Sequence, residues 1–155
     1  MDQSQLLSFF SQLQQTLEQL TQLQSEKIAA AKAHDLDALN ACIKQEQVIS
    51  LSLRGLEQKR DKLLQDLGLA GVKLLDAPNH CTPDVRPAAA QAAERLRKQY
   101  TVLRSAQEAA RTLLEKDLRS VNQELERRGV LSDLDEHYQA SPSTMPRSMS
   151  TDFRA

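Results

Sequence analysis

Apolar residues along the first part of the chain recur by fours and threes: Leu6, Phe10, Leu13, Leu17 and Leu20. That is the seam of a heptad helix and not the alternation of a strand. It predicts a helix over 3–32, drifting after Leu20 through Leu23 and Ile28 as a local stutter does. Asp2, with Gln5 three residues later, has the form of a capping box. His34 and Asp35 break the pattern, and Asp35 can cap a second helix over 35–67. Its seam runs through Leu39, Ile43, Ile49, Leu53, Leu56, Leu63 and Leu67, with Glu46 and Arg60 standing where the period expects apolar residues. Gly68 reads as the glycine just past its end. So short a connection requires the first two helices to lie antiparallel.

Residues 68–86, with two glycines, Pro78 and Pro83, read as a loop. A third helix follows over 87–128, starting near Thr82–Pro83 or with Pro87 in its first position. It opens on Ala88 to Ala90, Ala92 and Ala93, which let helices approach closely. Its seam is the most regular in the chain: Leu96, Tyr100, Leu103, Ala110, Leu114, Val121 and Leu125, with Leu118 beside it. Glu94–Lys98, Glu115–Arg119 and Glu124–Arg128 have the spacing of outward ion pairs, and Gly129 ends the helix. Ser132 and Asp135 can cap one more turn carrying Leu131, Leu134 and Tyr138. The expected architecture is all-α: an elongated, antiparallel three-helix coiled-coil bundle as one domain over 1–140. The aperiodic residues 141–155 read as a disordered tail.

The helix lengths do not match. At ~1.5 Å per residue the first two helices span about 45–50 Å and the third roughly 60 Å. A bundle cannot bury all of a helix that outruns its neighbours. If the alanine-rich start is packed, the last turns carry Leu118, Val121 and Leu125 into the open, followed by Val130, Leu131, Leu134 and Tyr138 past Gly129. Such a stripe marks a partner site. It is ordinary core if the helices shift in register or the chain dimerises.

Composition sharpens this. Hydrophobic residues make up 40% of the chain but aromatics only 3%, with no tryptophan and 4 glycines. Leucine and alanine layers suffice for long helices, whereas a β-sandwich or barrel needs many turn residues. A net charge of −1 argues against nucleic-acid binding. Between Gln3 and Gln24 the first helix carries one charge, Glu18; its glutamines make either a solvated face or a dock for an uncharged partner. The N-terminus has no basic region ahead of an apolar run, so neither a signal peptide nor membrane insertion is expected. Cys42 and Cys81 follow no spacing motif and read as reduced thiols of a cytoplasmic protein. His80 and Cys81 are adjacent and cannot easily face one metal, His34 and His137 read as loop and tail residues, and no nucleophile–base set or phosphate loop can be assembled. The chain is not expected to be an enzyme, or to hold a metal or cofactor.

A family resemblance rests on several stretches together. Glu26-Lys27 is followed by Asp35-Leu36-Asp37-Ala38-Leu39, then by a charged helix with Glu46, Lys59-Arg60 and Leu63 that closes in Leu67-Gly68-Leu69. With the loop and long third helix that follow, this resembles the FlgN-type flagellar export chaperones over roughly residues 5–140. The resemblance implies a cytoplasmic chaperone that binds the C-terminal segments of hook-associated (hook–filament junction) proteins. It would keep them unassembled and bring them to the type III export gate. It also places the client surface in the C-terminal part of the chain, here Leu114, Leu118, Val121, Leu125, Val130, Leu131 and Leu134. Tyr138 is the nearest match to the aromatic residue that family tails use at the gate. A structural coiled-coil adaptor that oligomerises through the glutamine-rich helix is the alternative.

Overall fold

The computed structural model describes residues 3–129, and all regular structure within them is helical. Three long helices, α1 (Ser4–Lys32), α2 (Leu36–Asp66) and α3 (Arg86–Arg127), are joined by a three-residue turn and a longer connection. That connection is not the featureless loop expected over 68–86. It carries a 3₁₀ helix, Leu74–His80, which buries Leu74, Ala77 and Pro78. The apolar residues there follow neither helical nor strand period, because a 3₁₀ turn repeats every three residues.

Cross-helix hydrogen bonds give the directions. Lys27 Nζ reaches Glu46 Oε2 at 2.7 Å, and Lys59 Nζ donates to Gln12 Oε1 at 2.8 Å. Rising numbers in α1 pair with falling numbers in α2, so the two run antiparallel. Thr82 donates from its backbone N and its hydroxyl to Gln3 Oε1, 79 residues away, and Gln99 Nε2 donates to Thr21 Oγ1 across 78. A constant offset means that α3 runs parallel to α1. The same offset sets Phe10 level with Ala89, Leu17 with Leu96, Gln24 with Leu103 and Ala31 with Ala110, all of them buried. The alanines at the start of α3 thus lie where α1 presents Phe9 and Phe10.

The packing centres on α1. Its extensive contacts are with both α2 and α3, and α3 also packs on the 3₁₀ helix. Leu6, Phe9, Phe10, Leu13, Leu17, Leu20 and Leu23 of α1 are all buried, each such side chain contributing about 1.5–3 kcal/mol. By contrast α2 buries only Cys42, Leu53, Leu63 and Leu64. Ile43, expected in its seam, is exposed; Cys42, one position earlier, takes the inward place.

The helix ends follow from local chemistry. Asp35 Oδ1 accepts from Ala38 N at 3.1 Å, capping α2. The end of α2 is a Schellman motif, with Gly68 N bonded to Gln65 O, Leu69 N to Leu64 O, and Gly68 at φ 73°. α1 ends the same way, but on His34 at φ 56°, with Asp35 N bonded to Ala30 O. Gln3 is the N-cap residue of α1 without a side-chain capping bond. Asp2 of the expected capping box lies outside the described residues. α3 begins at Arg86, one residue ahead of Pro87.

Two polar side chains of the helices turn inward. Glu46 interrupts the seam of α2 because it meets Lys27, whose side chain is nearly buried. Gln24, counted among the wet glutamines, is 1% exposed, and its Nε2 has no hydrogen-bond partner among the described residues. Removing only the carboxylate strands the Lys27 ammonium. Glu46→Ala is therefore expected to destabilise by about 2–4 kcal/mol, while Lys27→Met with Glu46→Leu stays within about 1 kcal/mol of wild type. Urea unfolding of the two variants checks this; equal losses would show that the pair acts only through packing.

Candidate functional site

The face of α3 that packs on α1 carries Ala89, Ala93, Leu96, Leu103 and Ala110, and Ala110 is its last buried residue. By the fixed offset Ala110 is level with Ala31, at the end of α1. From Arg111 onward α3 therefore runs about 25 Å past its partner at ~1.5 Å per residue. The apolar face does not stop there. Leu114, Leu118, Val121 and Leu125 follow by fours and threes in line with Leu103 and Ala110. Leu114 and Leu125 are half-buried, whereas Leu118 and Val121 are each 54% exposed. Val130, Leu131, Leu134 and Tyr138 lie outside the described residues.

A helix segment without a neighbour among the described residues must be held by local interactions. Arg111 Nε pairs with Glu115 at 3.0 Å, and Glu124 receives both Arg127 and Arg128. Each such pair contributes about 0.2–0.5 kcal/mol. Two of the three ion pairs expected from spacing choose other partners: Glu94 bonds Arg97 and Glu115 bonds Arg111, while Glu124–Arg128 forms as spaced. Arg97 draws Glu94 below the ordinary carboxylate range. Gly129, at φ 72°, closes the helix.

Sequence patterning gave no sign of a second concavity at the other end of the molecule. A groove of about 500 Å³ opens between the end of α2, residues 70–75 and α3. Leu17, Leu64, Leu75 and Leu96 line it, Tyr100 flanks it, and Arg60 stands at its edge. Arg60, read as a flaw in the α2 seam, bonds Asp61 and Glu57 there.

No group of three or more His, Cys, Asp or Glu residues able to hold a metal ion occurs among the described residues. Cys42 and Cys81 are free and buried; Cys81 Sγ lies 3.5 Å from Ala77 O, while His80 is exposed. Burial pushes both thiols above their ordinary range, aided at Cys42 by Glu26 and Glu46 and opposed by Lys27, and opposed at Cys81 by Arg86. No helix of the described residues is long and apolar enough to cross a membrane.

A helical scaffold that carries one apolar helix face past the end of its own core has the architecture of a protein-binding module. The particular kind follows from comparison with known families. The chain belongs to the FlgN family: the family model, described as FlgN protein, matches residues 1–127. This is a family of flagellar chaperones. The match takes in all of α1, α2 and α3 and stops at the last residue of α3, short of the tail that the sequence resemblance included. Comparison with the curated proteins and with the solved structures found no match.

Raised thiols make a checkable statement. Their folded values lie above those of the unfolded chain, so the protonated thiols favour the fold below about pH 8.5. That contribution is lost as pH climbs through the raised values. The urea midpoint is expected to fall between pH 8 and 10, less so in Cys42→Ala. Iodoacetamide should modify the native thiols at least about tenfold more slowly than a cysteine peptide. Peptide-like rates would mean that both sites open freely.

Proposed function

We propose that the chain is a cytoplasmic chaperone that binds the C-terminal amphipathic segments of hook-associated (hook–filament junction) flagellar proteins. It holds them unassembled and delivers them to the type III export apparatus. Membership of the FlgN family supports the chaperone role. The observation that carries the site is the continuation of the buried α3 face into the open at Leu114, Leu118, Val121 and Leu125.

The physical reasoning is helix-in-groove recognition. A client that assembles through amphipathic helices exposes apolar stripes before assembly, and a chaperone must offer an apolar surface of the same period. The overhanging turns of α3 do so while α1 and α2 hold the other end of the helix rigid. In this reading Val130, Leu131 and Leu134 extend the client surface past Gly129, and Tyr138 contacts the export gate. No active site is required.

Leu118→Asp with Val121→Asp places two carboxylates at solvent-exposed positions. Helicity and stability are expected to hold within about 0.5 kcal/mol, while titration calorimetry with a client's C-terminal segment loses at least about a hundredfold in affinity. A collapse of thermal stability would identify these residues as core and sink the assignment. For Tyr138→Ala the expected outcome is unchanged client affinity with reduced secretion of junction proteins; unaltered secretion and motility would remove Tyr138 from the scheme.

A further inference from the structure

The outward face of α2 bears no relation to the α3 stripe, yet it too is built for contact. Lys44, Val48, Leu51, Gly55, Lys59 and Lys62 follow one another by fours and threes, so they share one face, and all are exposed. Val48 and Leu51 are 63% and 64% exposed in the middle of the helix. Gly55 lies beside them with a normal helical backbone and open space where a side chain would stand. A glycine inside an exposed helix disfavours it by about 1 kcal/mol relative to alanine. Nothing within α2 calls for one, and it leaves a notch through which another backbone can come close.

Bases predominate along the middle of this patch, and exposed Asp37 and Asp66 stand on the same face at the two ends of the helix. Lys44 and Lys62 bound it along the helix, with Arg54 and Lys59 at its edges. Lys44, Arg54 and Lys62 enter no ion pair among the described residues, and Lys59 bonds only the neutral Gln12. Of the acids along its middle, Glu46 is engaged by Lys27, and Glu57 and Asp61 by Arg60. Glu18 and Glu26 line the groove on the α1 side of Val48, while the opposite edge carries Arg54, with Asp61 one heptad on already paired to Arg60. The fitting occupant is an apolar stripe flanked by carboxylates. A second copy's α2 would set lysines against lysines.

The chain itself holds such a segment. In residues 130–138, Leu131, Leu134 and Tyr138 are spaced by three and four, and Asp133, Asp135 and Glu136 put three acids within four positions. It cannot reach the patch of its own molecule. Gly129 lies about 28 Å beyond the level of Ala110 and about 45 Å, measured along the axis, from the level of Leu51. The five residues from Gly129 to Leu134 extend at most about 18 Å. We infer that residues 131–138 of one copy dock on the Val48–Leu51–Gly55 face of α2 in a second copy, and that reciprocal exchange closes a dimer. The inference uses a different face from the client reading but shares Leu131, Leu134 and Tyr138 with it, so the docked tail and a bound client exclude each other; the test therefore contains no client.

Complementation between two full-length variants tests it by sedimentation velocity without any client. Leu51→Asp removes the patch and keeps the tail; Leu131→Ser with Leu134→Ser removes the tail stripe and keeps the patch. Wild type is expected to dimerise with a constant that weakens at least about tenfold between 50 and 500 mM salt. Each variant alone should stay monomeric at concentrations where wild type is dimeric, and a 1:1 mixture should associate again. Circular dichroism checks that both variants fold. Should one fail to fold, Lys44→Glu with Lys62→Glu against Asp133→Lys with Asp135→Lys gives the same complementation by charge. A wild-type chain that stays monomeric, or variants whose mixture does not associate, would overturn the inference.

Discussion

Everything in this fold is built against one surface, the apolar face of α1. That helix spends its large side chains (Leu6, Phe9, Phe10, Leu13, Leu17, Leu20) on a stripe wide enough to serve two neighbours at once. α2 buries little of its own, and α3 is buried only while it runs alongside α1. The length of α1 therefore decides where the interior ends. Because α3 starts level with the start of α1 and runs in the same direction, all of its excess length emerges at one end, as a single contiguous segment.

The register that produces this is held by polar groups as much as by leucines. An apolar seam alone tolerates a slip of one heptad, since leucine then meets leucine again. Lys27–Glu46 cannot slip without stranding a nearly buried ammonium, and the more exposed Gln12–Lys59, Gln3–Thr82 and Thr21–Gln99 bonds add weaker preferences for the same register. Buried polar contacts add little net stability, but they discriminate between alternatives that burial alone leaves nearly equal. The unpaired amide of Gln24 is the one place where this scheme leaves a buried polar atom without a partner among the described residues.

Helical period made the three long helices readable from the chain, because each carries a heptad stripe and a chemical stop: Asp35, Gly68 and Gly129. What could not be read was anything that depends on a partner distant in sequence. Glu46 looked like a flaw because Lys27 is 19 residues away, and Gln24 looked wet because nothing local marks it as facing Leu103. The 3₁₀ helix has a period too short and too brief to register. Ile43 was misplaced by one residue because the stripe of α2 is weak and cysteine counts poorly as an apolar marker. The overhang of α3 followed from lengths alone. Its end, direction and exposed positions needed the cross-helix bonds. The α2 face stayed hidden because its apolar residues are scattered among lysines and look like surface noise in one dimension.

The turn between α1 and α2 has a consequence for how such chains can change length. Asp35 serves both helices, its N–H closing α1 and its carboxylate opening α2, with His34 held in a left-handed conformation between them. No residue in the turn is spare. One inserted residue would rotate the whole of α2 by about 100°, swinging Cys42, Leu53 and Leu63 away from α1. Drift in length by single residues is therefore closed to the hairpin, which can grow or shrink only by whole heptads added to both arms. The 68–85 connection and the free end of α3 are under no such rule. Variation in size among chains of this architecture should accumulate there, at the two ends of α3, while the hairpin keeps its count.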